Sequence, residues 1–229
     1  MNKTLKILTY AVLPIVIILL AYLNVRSVMT PLNFEKEKAA REEVGIQRLK
    51  DIRTLQTAYK SANGKYAETM DEVIKYYKEG KIDVVMQIGS QDDSLAVANT
   101  KALKKKNPKI TAEQMKTIYD ETHTPLVFSI TTQIPVKDTL CHRDDFVIDS
   151  LAYIPFSGGQ KVIVATTIKS VSGVNVPLFE ACMPYKALLR GMNHQLIVNL
   201  NAEREDTDRY PGLKVGSVSA PNNNAGNWE

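Results

Sequence analysis

The chain has 229 residues, enough for one domain of ordinary size with an appendage or for two small domains. Hydrophobic residues make up 44% of it and charged residues 24%, a globular composition that excludes collagen-like, low-complexity and fully disordered proteins. Two cysteines are too few for a disulfide-framework mini-protein or a four-cysteine zinc module.

The net charge of +4 is concentrated at the N-terminus. Residues 1–26 contain Lys3, Lys6 and Arg26 and no acidic residue. Residues 27–229 are therefore close to neutral. Because nucleic-acid-binding proteins carry a basic face, we expect no nucleic-acid partner.

An uncharged apolar segment, ILTYAVLPIVIILLAYLNV, occupies residues 7–25. A helix of this length spans about 28 Å, close to the roughly 30 Å of a bilayer's hydrocarbon core. The alternative is a cleaved signal peptide, but the apolar run exceeds the usual ~7–15 residues and no small-x-small site follows it. We therefore expect an uncleaved transmembrane helix that contacts membrane lipid.

The charges beside this segment predict its orientation. A short basic start, residues 1–6, precedes the apolar run in the order typical of a cytoplasmic N-terminus, although a count over wider flanks does not favour that orientation. We expect a cytoplasmic tail over residues 1–6, a single pass through the inner (cytoplasmic) membrane, and a periplasmic head.

A helical stem and a second helix are expected over residues 26–80. Pro31 and Phe34 are expected to separate the stem from the membrane segment, so that the stem begins near Glu35. Asn63-Gly64 is the stop signal, because this pair adopts the left-handed conformation of helix ends. Apolar side chains recur every three or four residues and predict one buried face. They are Ile46, Leu49, Ile52, Leu55 and Tyr59.

Two interpretations of this stem stripe remain open. The stripe packs on the protein's own sheet, or it contacts partner helices near the membrane. The regular spacing over 49–62 favours the first interpretation, and the more polar residues 35–45 favour the second. All five stripe residues are candidate interaction residues.

Residues 81–229 are expected to form an α+β extracytoplasmic head. Thr69 and Thr111 are each followed three residues later by Glu or Gln, a capping-box pattern that predicts helix starts. The polar stretch 90–121 has helical composition, and residues 83–89 predict a short strand.

From residue 124 the composition becomes that of strands, rich in Val, Ile, Thr and aromatic residues. Glycine-containing turns are expected at 157–160 and 172–173. The expected strands are 126–134, 146–156, 161–170, 174–183 and 195–200, with a short helix at 185–190 and a polar tail from residue 203. Helices followed by strands indicate an α+β fold with an antiparallel sheet.

The segment 46–77, IQRLKDIRTLQTAYKSANGKYAETMDEVIKYY, resembles the helix-to-head junction of type II secretion pseudopilins and type IV pilin-like proteins. The shared turn places Tyr59, Asn63, Gly64 and Tyr66 in a Tyr-x-x-x-Asn-Gly-x-Tyr pattern. The resemblance implies a membrane-emergent helix, an antiparallel-sheet head and a role in assembly. Pilins also carry a Gly before the processing site and a Glu in the apolar segment, and residues 1–25 contain neither.

Most of the chain is also similar to uncharacterised single-pass membrane proteins of Bacteroidota. The matching segments are LKDIRTLQTAYKSANGKYA, VKDTL, IDSLAYIPF, SGVNVPLFEA, RYPGLKVGS and NNNAGNWE. This resemblance implies a single-pass topology and carries no activity with it.

We find no pattern that predicts catalysis or a cofactor. His123, His142 and His194 are scattered, without the HExxH spacing of zinc sites. Cys141 and His142 would point to opposite faces of a strand and so would not form a nucleophile–base pair. Cys141 and Cys182 both lie in the strand-rich region and are a candidate disulfide if the head lies outside the cytoplasm.

Two surface features are candidate partner contacts. A basic run contains Lys104, Lys105 and Lys106, which form either a solvated helix face or a contact with an acidic partner or phospholipid surface. Trp228, the only tryptophan, either docks on the head or serves a partner.

Together these features predict a membrane-anchored structural or assembly component of a cell-envelope complex, pilin-like or secretion-related, that forms homo- or hetero-oligomers with other envelope proteins. The alternative is a periplasmic ligand-binding or sensing module tethered to the inner membrane. A shallow head on a long projecting helix favours the first hypothesis, and a deep polar pocket favours the second. We do not expect an enzyme.

Overall fold

The computed structural model describes residues 12–229 of the chain. In chain order, the elements are α1 (Leu13–Asn63), α2 (Met70–Glu79), β1 (Lys81–Ile88), α3 (Ser94–Lys106), α4 (Ala112–Thr122), β2 (Phe128–Pro135), β3 (Ile163–Val171), β4 (Val174–Pro184), α5 (Tyr185–Leu188), α6 (His194–Asp206) and β5 (Gly212–Gly216). The expected α+β fold, with a long N-terminal helix and an antiparallel-sheet head, is confirmed.

The membrane segment and the stem form one uninterrupted helix. α1 is 51 residues long and contains Pro31, so the expected break between Pro31 and Phe34 is wrong. A proline removes one intrahelical hydrogen bond, which here is a local loss within a helix of 51 residues. Beside it, the hydroxyl of Thr30 donates to the carbonyl of Arg26 at 2.7 Å. Residues 1–6 and 7–11 lie outside the described part of the chain.

The predicted helix stop at Asn63-Gly64 is confirmed. Gly64 adopts φ 75°, a left-handed conformation, and its N–H donates to the carbonyl of Lys60 at 2.7 Å. The chain then folds back on α1, where the fully buried Gln56 amide donates to the carbonyl of Ala67 at 3.0 Å and accepts from its N–H at 2.9 Å. This double hydrogen bond fixes the start of the head against the helix.

A three-stranded antiparallel sheet, in the order β3-β4-β5, packs on the C-terminal half of α1. β3 and β4 form a hairpin that pairs Ile163 with Cys182 and Val171 with Val174. Gly45 permits the close approach of α1, because a Cβ there would come within 2.8 Å of the Leu213 side chain on β5. The main core therefore lies between the helix and this sheet.

A smaller unit holds the second, two-stranded sheet. β1 and β2 pair antiparallel along their whole lengths, and α3 and α4 lie between them in the chain. Met115, Leu126 and Phe128 form a separate small core there. The capping box predicted at Thr111 is present, and Thr69 caps α2 by accepting from the N–H of Glu72.

Three local predictions are wrong. Residues 146–156 form turns and a 3-10 helix, Ile148–Ser150, in place of a strand, because their buried residues do not alternate along the chain. Residues 195–200 are helical within α6, whose N-terminus is capped by the Asn193 side chain. The expected polar tail contains β5, where Leu213 and Val215 are buried on either side of Lys214.

The C-terminal residues are bound to the head. Gly226 bridges to Val215 of β5, and the N–H of Asn227 donates to the carbonyl of Lys214 at 2.9 Å. The carboxylate of Glu229 accepts from Arg53 of α1 at 2.8 Å. The tail thus lies along the outer edge of β5 and ties it to the long helix.

Candidate functional site

The N-terminal half of α1 is apolar on all sides and exposed. We call residues 13–33 the apolar arm, and Arg26 is the only charged residue in it. An 18-residue window of α1 has a mean hydropathy of 1.8, and none of it is buried, so the helix is long and apolar enough to cross a membrane. The predicted transmembrane segment 7–25 overlaps the arm over residues 13–25.

A helix that is hydrophobic all round is normally covered by a protein core or by lipid. In the apolar arm the large side chains remain between 41% and 69% exposed, which is close to what neighbouring turns of a bare helix leave free. The exposed side chains include Ile15, Ile17, Ile18, Leu19, Leu23, Val28 and Leu32. The surface of the arm is therefore available to lipid or to other chains.

The character of α1 changes at Phe34, the first buried side chain along it. Ion pairs within the helix begin at the next turn, where Lys38 lies 2.5 Å from Glu35 and Arg41 lies 2.8 Å from Glu37. We call residues 34–63 the packed half.

A buried polar cluster joins the packed half to α5 and α6. The hydroxyl of the fully buried Tyr185 donates to the carboxylate of Glu42 at 2.5 Å and accepts from Arg204 at 2.9 Å. Burial, followed by the neighbouring Glu42 carboxylate, raises the pKa of Tyr185 well above its ordinary value. The phenol therefore remains a hydrogen-bond donor, and three separate elements meet at it.

Arg41 makes a second contact with the same region. Its guanidinium donates to the carbonyl of Arg190 at 2.9 Å and lies 4.9 Å from the centre of the Phe156 ring. It thereby satisfies a backbone acceptor just beyond the end of α5. The base of the head is held to the helix on this side.

An ion pair between a buried acid and a partly exposed arginine joins the packed half to the loop after β2. Both terminal nitrogens of Arg143 donate to the carboxylate of Asp51, each at 2.9 Å, and Asp51 is only 7% exposed. Gln47 and Asp145 complete the hydrogen bonds of the two groups. These carboxylate contacts, Asp51 first, raise the pKa of Arg143. This bidentate geometry fixes the direction of the Arg143 guanidinium as well as its distance from the Asp51 carboxylate.

Beside this ion pair an open groove of about 570 Å³ runs between α1 and residues 143–151. Its lining mixes apolar and charged side chains, including Glu43, Ile46, Lys50, Asp145 and Val147. Arg48 borders it and donates to the carbonyls of Ser150 and Tyr153. Because Arg48 is partly buried, its pKa is lowered.

The predicted stem stripe lies in the protein's own core. Leu49, Ile52 and Leu55 are fully buried, so their assignment as partner contacts is wrong and the packing interpretation is correct. Ile46 and Tyr59 are half-buried and pack on the same core, which Tyr59 extends by an edge-to-face contact with Tyr76. The centre of the stripe, Leu49 to Leu55, therefore has no surface left for a partner helix.

The two cysteines are free thiols, and the predicted disulfide is not formed. Cys141 lies in the loop after β2 near Asp51, whereas Cys182 lies on β4 with its sulfur 3.4 Å from Glu180. Burial is the main reason that the pKa of Cys141 rises to about 11 and that of Cys182 to about 12. Both thiols are therefore protonated at neutral pH.

The remaining candidate contacts differ in exposure. Lys104, Lys105 and Lys106 are exposed on the last turn of α3, and none of them lies in an ion pair with an acid of residues 12–229. Trp228 is half-buried, packs on the main core and lies against Gly226, which agrees with docking on the head.

Sequence reasoning missed the charged residues that join α1 to the head. Asp51 carried a usable signal, because it lies between Leu49 and Ile52 on a buried helix face, where an acid requires a partner. No sequence signal identified the cluster of Glu42, Tyr185 and Arg204, because these residues are far apart in sequence and meet only in the folded protein.

Among residues 12–229, no three or more His, Cys, Asp or Glu side chains are grouped so as to hold a metal ion. Comparison of the chain with known protein families, with curated proteins and with solved structures finds no match.

Proposed function

We propose that this chain is a membrane-anchored structural component that assembles with other cell-envelope proteins through its apolar arm and its head. The observation that carries the proposal is the continuity of α1. α1 is one unbroken helix whose N-terminal part is the exposed apolar arm. Its packed half is held against the folded head by the Asp51–Arg143 ion pair and the Tyr185 cluster.

The continuity of α1 matters because an unbroken helix fixes the position of the head relative to the apolar arm. The apolar arm is about 32 Å long at ~1.5 Å per residue, which matches a bilayer core of about 30 Å. Since no loop separates it from the packed half, the head is held at a fixed distance and angle from the membrane. A tethered binding module needs no such rigid coupling, whereas a subunit of an ordered assembly does.

The finer parts of the proposal concern location and kinship. We place the arm in the inner membrane, with the N-terminus in the cytoplasm and the head in the periplasm. An antiparallel sheet packed on the second half of a long helix supports a pilin-like architecture, in line with the Tyr59–Tyr66 turn. Protease added to spheroplasts is expected to digest the head, and protection of the head would contradict this orientation.

Assembly through the arm is tested by single cysteines placed at each position from 25 to 33, in a C141S/C182S background, followed by disulfide crosslinking in native membranes. We expect crosslinked oligomers at positions three or four residues apart, because one helix face meets the neighbour. Cysteine at exposed Glu68 on the head is the matched control. Monomer at every arm position would contradict assembly through the arm.

The groove beside Asp51 favours a second candidate function, the recognition of a small ligand by the head. Its volume of about 570 Å³ suits a small molecule. Native mass spectrometry of the full chain in detergent would then show a bound molecule that is lost in V147R, which fills the groove, and retained in the matched surface variant V198R. The absence of any added mass on wild type, or the same added mass on all three proteins, would contradict ligand binding there.

A further inference from the structure

The two edges of the three-stranded sheet differ in whether their backbone groups are hydrogen-bonded. The outer edge of β5 is covered by the C-terminal residues, with hydrogen bonds from Gly216 to Ala225 and from Asn227 to Lys214. β3 forms the other edge. Within residues 12–229, no backbone hydrogen bond joins residues 163–171 to anything except β4.

The turn between β3 and β4 identifies which groups are free. Ser172 and Gly173 both have positive φ, 52° and 82°, and form a two-residue hairpin loop. In such hairpins the flanking pair, here Val171 and Val174, is hydrogen-bonded, so the odd-numbered residues of β3 bond to β4. Pro177, which has no N–H, lies opposite even-numbered Ile168, as this phase requires.

The free backbone groups therefore belong to Val164, Thr166, Ile168 and Ser170. Their N–H and C=O groups point away from β4 along one line. Proteins usually protect such an edge with proline, charge, a bulge or a short strand. β3 is nine residues long, contains no proline and no acid, and carries a single charge, Lys169, which donates to the carbonyl of Ser219.

Apolar side chains accompany the open edge. On β3 itself, Ile163 is 55% exposed and Ile168 is 62% exposed. A strand added to β3 would cover these side chains while it pairs the free backbone groups. Both contributions favour an occupant with an extended, uncharged backbone segment.

Symmetry excludes antiparallel pairing of β3 with a second anchored copy. Antiparallel pairing of β3 with itself places a two-fold axis perpendicular to the sheet, and such an axis reverses every direction within the sheet plane. A helix packed on a sheet lies parallel to that plane. The two α1 helices would therefore point in opposite directions, and their apolar arms could not enter the same membrane.

We propose that the β3 edge binds an extended segment of a different polypeptide, which adds to the sheet as an antiparallel strand. The inference deepens the proposed assembly function and rests on it for the shared membrane. It names the contact made by the head, separately from the contact made by the apolar arm.

A defined probe is the free peptide IVATTIKSV, residues 163–171, which has no anchor and so escapes the symmetry constraint. Paired about Thr167, it places Lys169 opposite Ala165, so no like charges meet. We expect saturable binding to the full chain in detergent, weakened at least tenfold by T166P and S170P, because proline removes an outward N–H and no bond to β4. T166A and S170A should bind as the wild type does.

Circular dichroism melting of each variant shows whether the head is folded. If T166P does not fold, S170P, which lies near the hairpin end, replaces it in the binding comparison. Failure of the peptide to bind, or equal binding by the proline and alanine variants, would overturn the proposal. Crosslinks from positions 25–33 in T166P membranes report the proposed function independently and should persist. Chain dimers linked through T166C in native membranes would also overturn it.

Discussion

Residues 13–33 and 34–63 belong to the same helix and share a continuous hydrogen-bonded backbone, yet their side chains have opposite surroundings. The apolar arm carries large hydrophobic side chains on every face, and all of them are exposed. The packed half buries one apolar face and pairs its charges with the head. The comparison shows that helix formation and helix environment are set by different features of the sequence.

The largest effect is expected from a charge in the packed half. L55D places a carboxylate at a fully buried site, and we expect a loss of more than about 4 kcal/mol in the free energy of unfolding, enough to prevent folding of the head. The matched control is T54D, one residue away on the exposed face, with a change within about 0.5 kcal/mol. Urea unfolding of the full chain in detergent measures both, and similar midpoints would show that the stripe faces solvent.

The ion pair at Asp51 should give the next largest effect. R143A leaves the buried Asp51 carboxylate without its main partner, and we expect a loss of about 2–3 kcal/mol. This is below the value for fully buried pairs because the Arg143 side chain is 35% exposed. D145A removes the exposed partner of the same arginine and should cost under about 0.5 kcal/mol. Equal costs would mean that the Asp51 contact does not hold the loop to α1.

Tyr185 offers a smaller effect with a pH signature. Y185F should cost about 1–2 kcal/mol at pH 7, because Glu42 and Arg204 lose a buried partner. The pKa of Tyr185 is raised in the folded protein, so its contribution is complete below the ordinary pKa of about 10 and is lost as pH rises above it. The stability difference between wild type and Y185F should therefore narrow from pH 8 to pH 11. A difference that widens over this range would contradict the arrangement, and Y119F is the exposed control.

The smallest effect concerns thiol chemistry. Because the pKa of Cys141 is raised to about 11, its thiolate fraction at pH 8 should be roughly a hundredth of that of an ordinary cysteine. Iodoacetamide should label the native chain slowly and incorporate two equivalents after denaturation without reductant. Incorporation only after reduction would reveal a disulfide between Cys141 and Cys182.

The sequence was sufficient where one physical signal dominated. Apolar spacing predicted the buried faces of α1, and Asn63-Gly64 predicted its end, since both signals act within a few residues. It was misleading at residues 195–200, whose β-prone composition is overridden by the Asn193 cap, and at 212–216, whose strand depends on pairing with β4. The Tyr185 cluster was invisible because its members come from three separate regions.

The same reasoning explains the error at Pro31. A proline is the strongest local breaker of a helix, but α1 continues through Pro31 because the loss of one hydrogen bond is local within a helix of 51 residues. What distinguishes the arm from the packed half is therefore the surroundings of its side chains and not a change in backbone structure.

The central claim, that one helix passes from the membrane into the head, is tested most directly by a cysteine scan of residues 13–63 in the C141S/C182S background. A membrane-impermeant maleimide is applied to native membranes opened to both sides. We predict protection of every residue through the apolar arm, followed by labelling of exposed positions such as Thr54 and Ser61 and protection of Leu49 and Ile52. Labelling of Ile17 and Ile18 as fast as that of Thr54 would show that the arm lies in water, and would contradict the account.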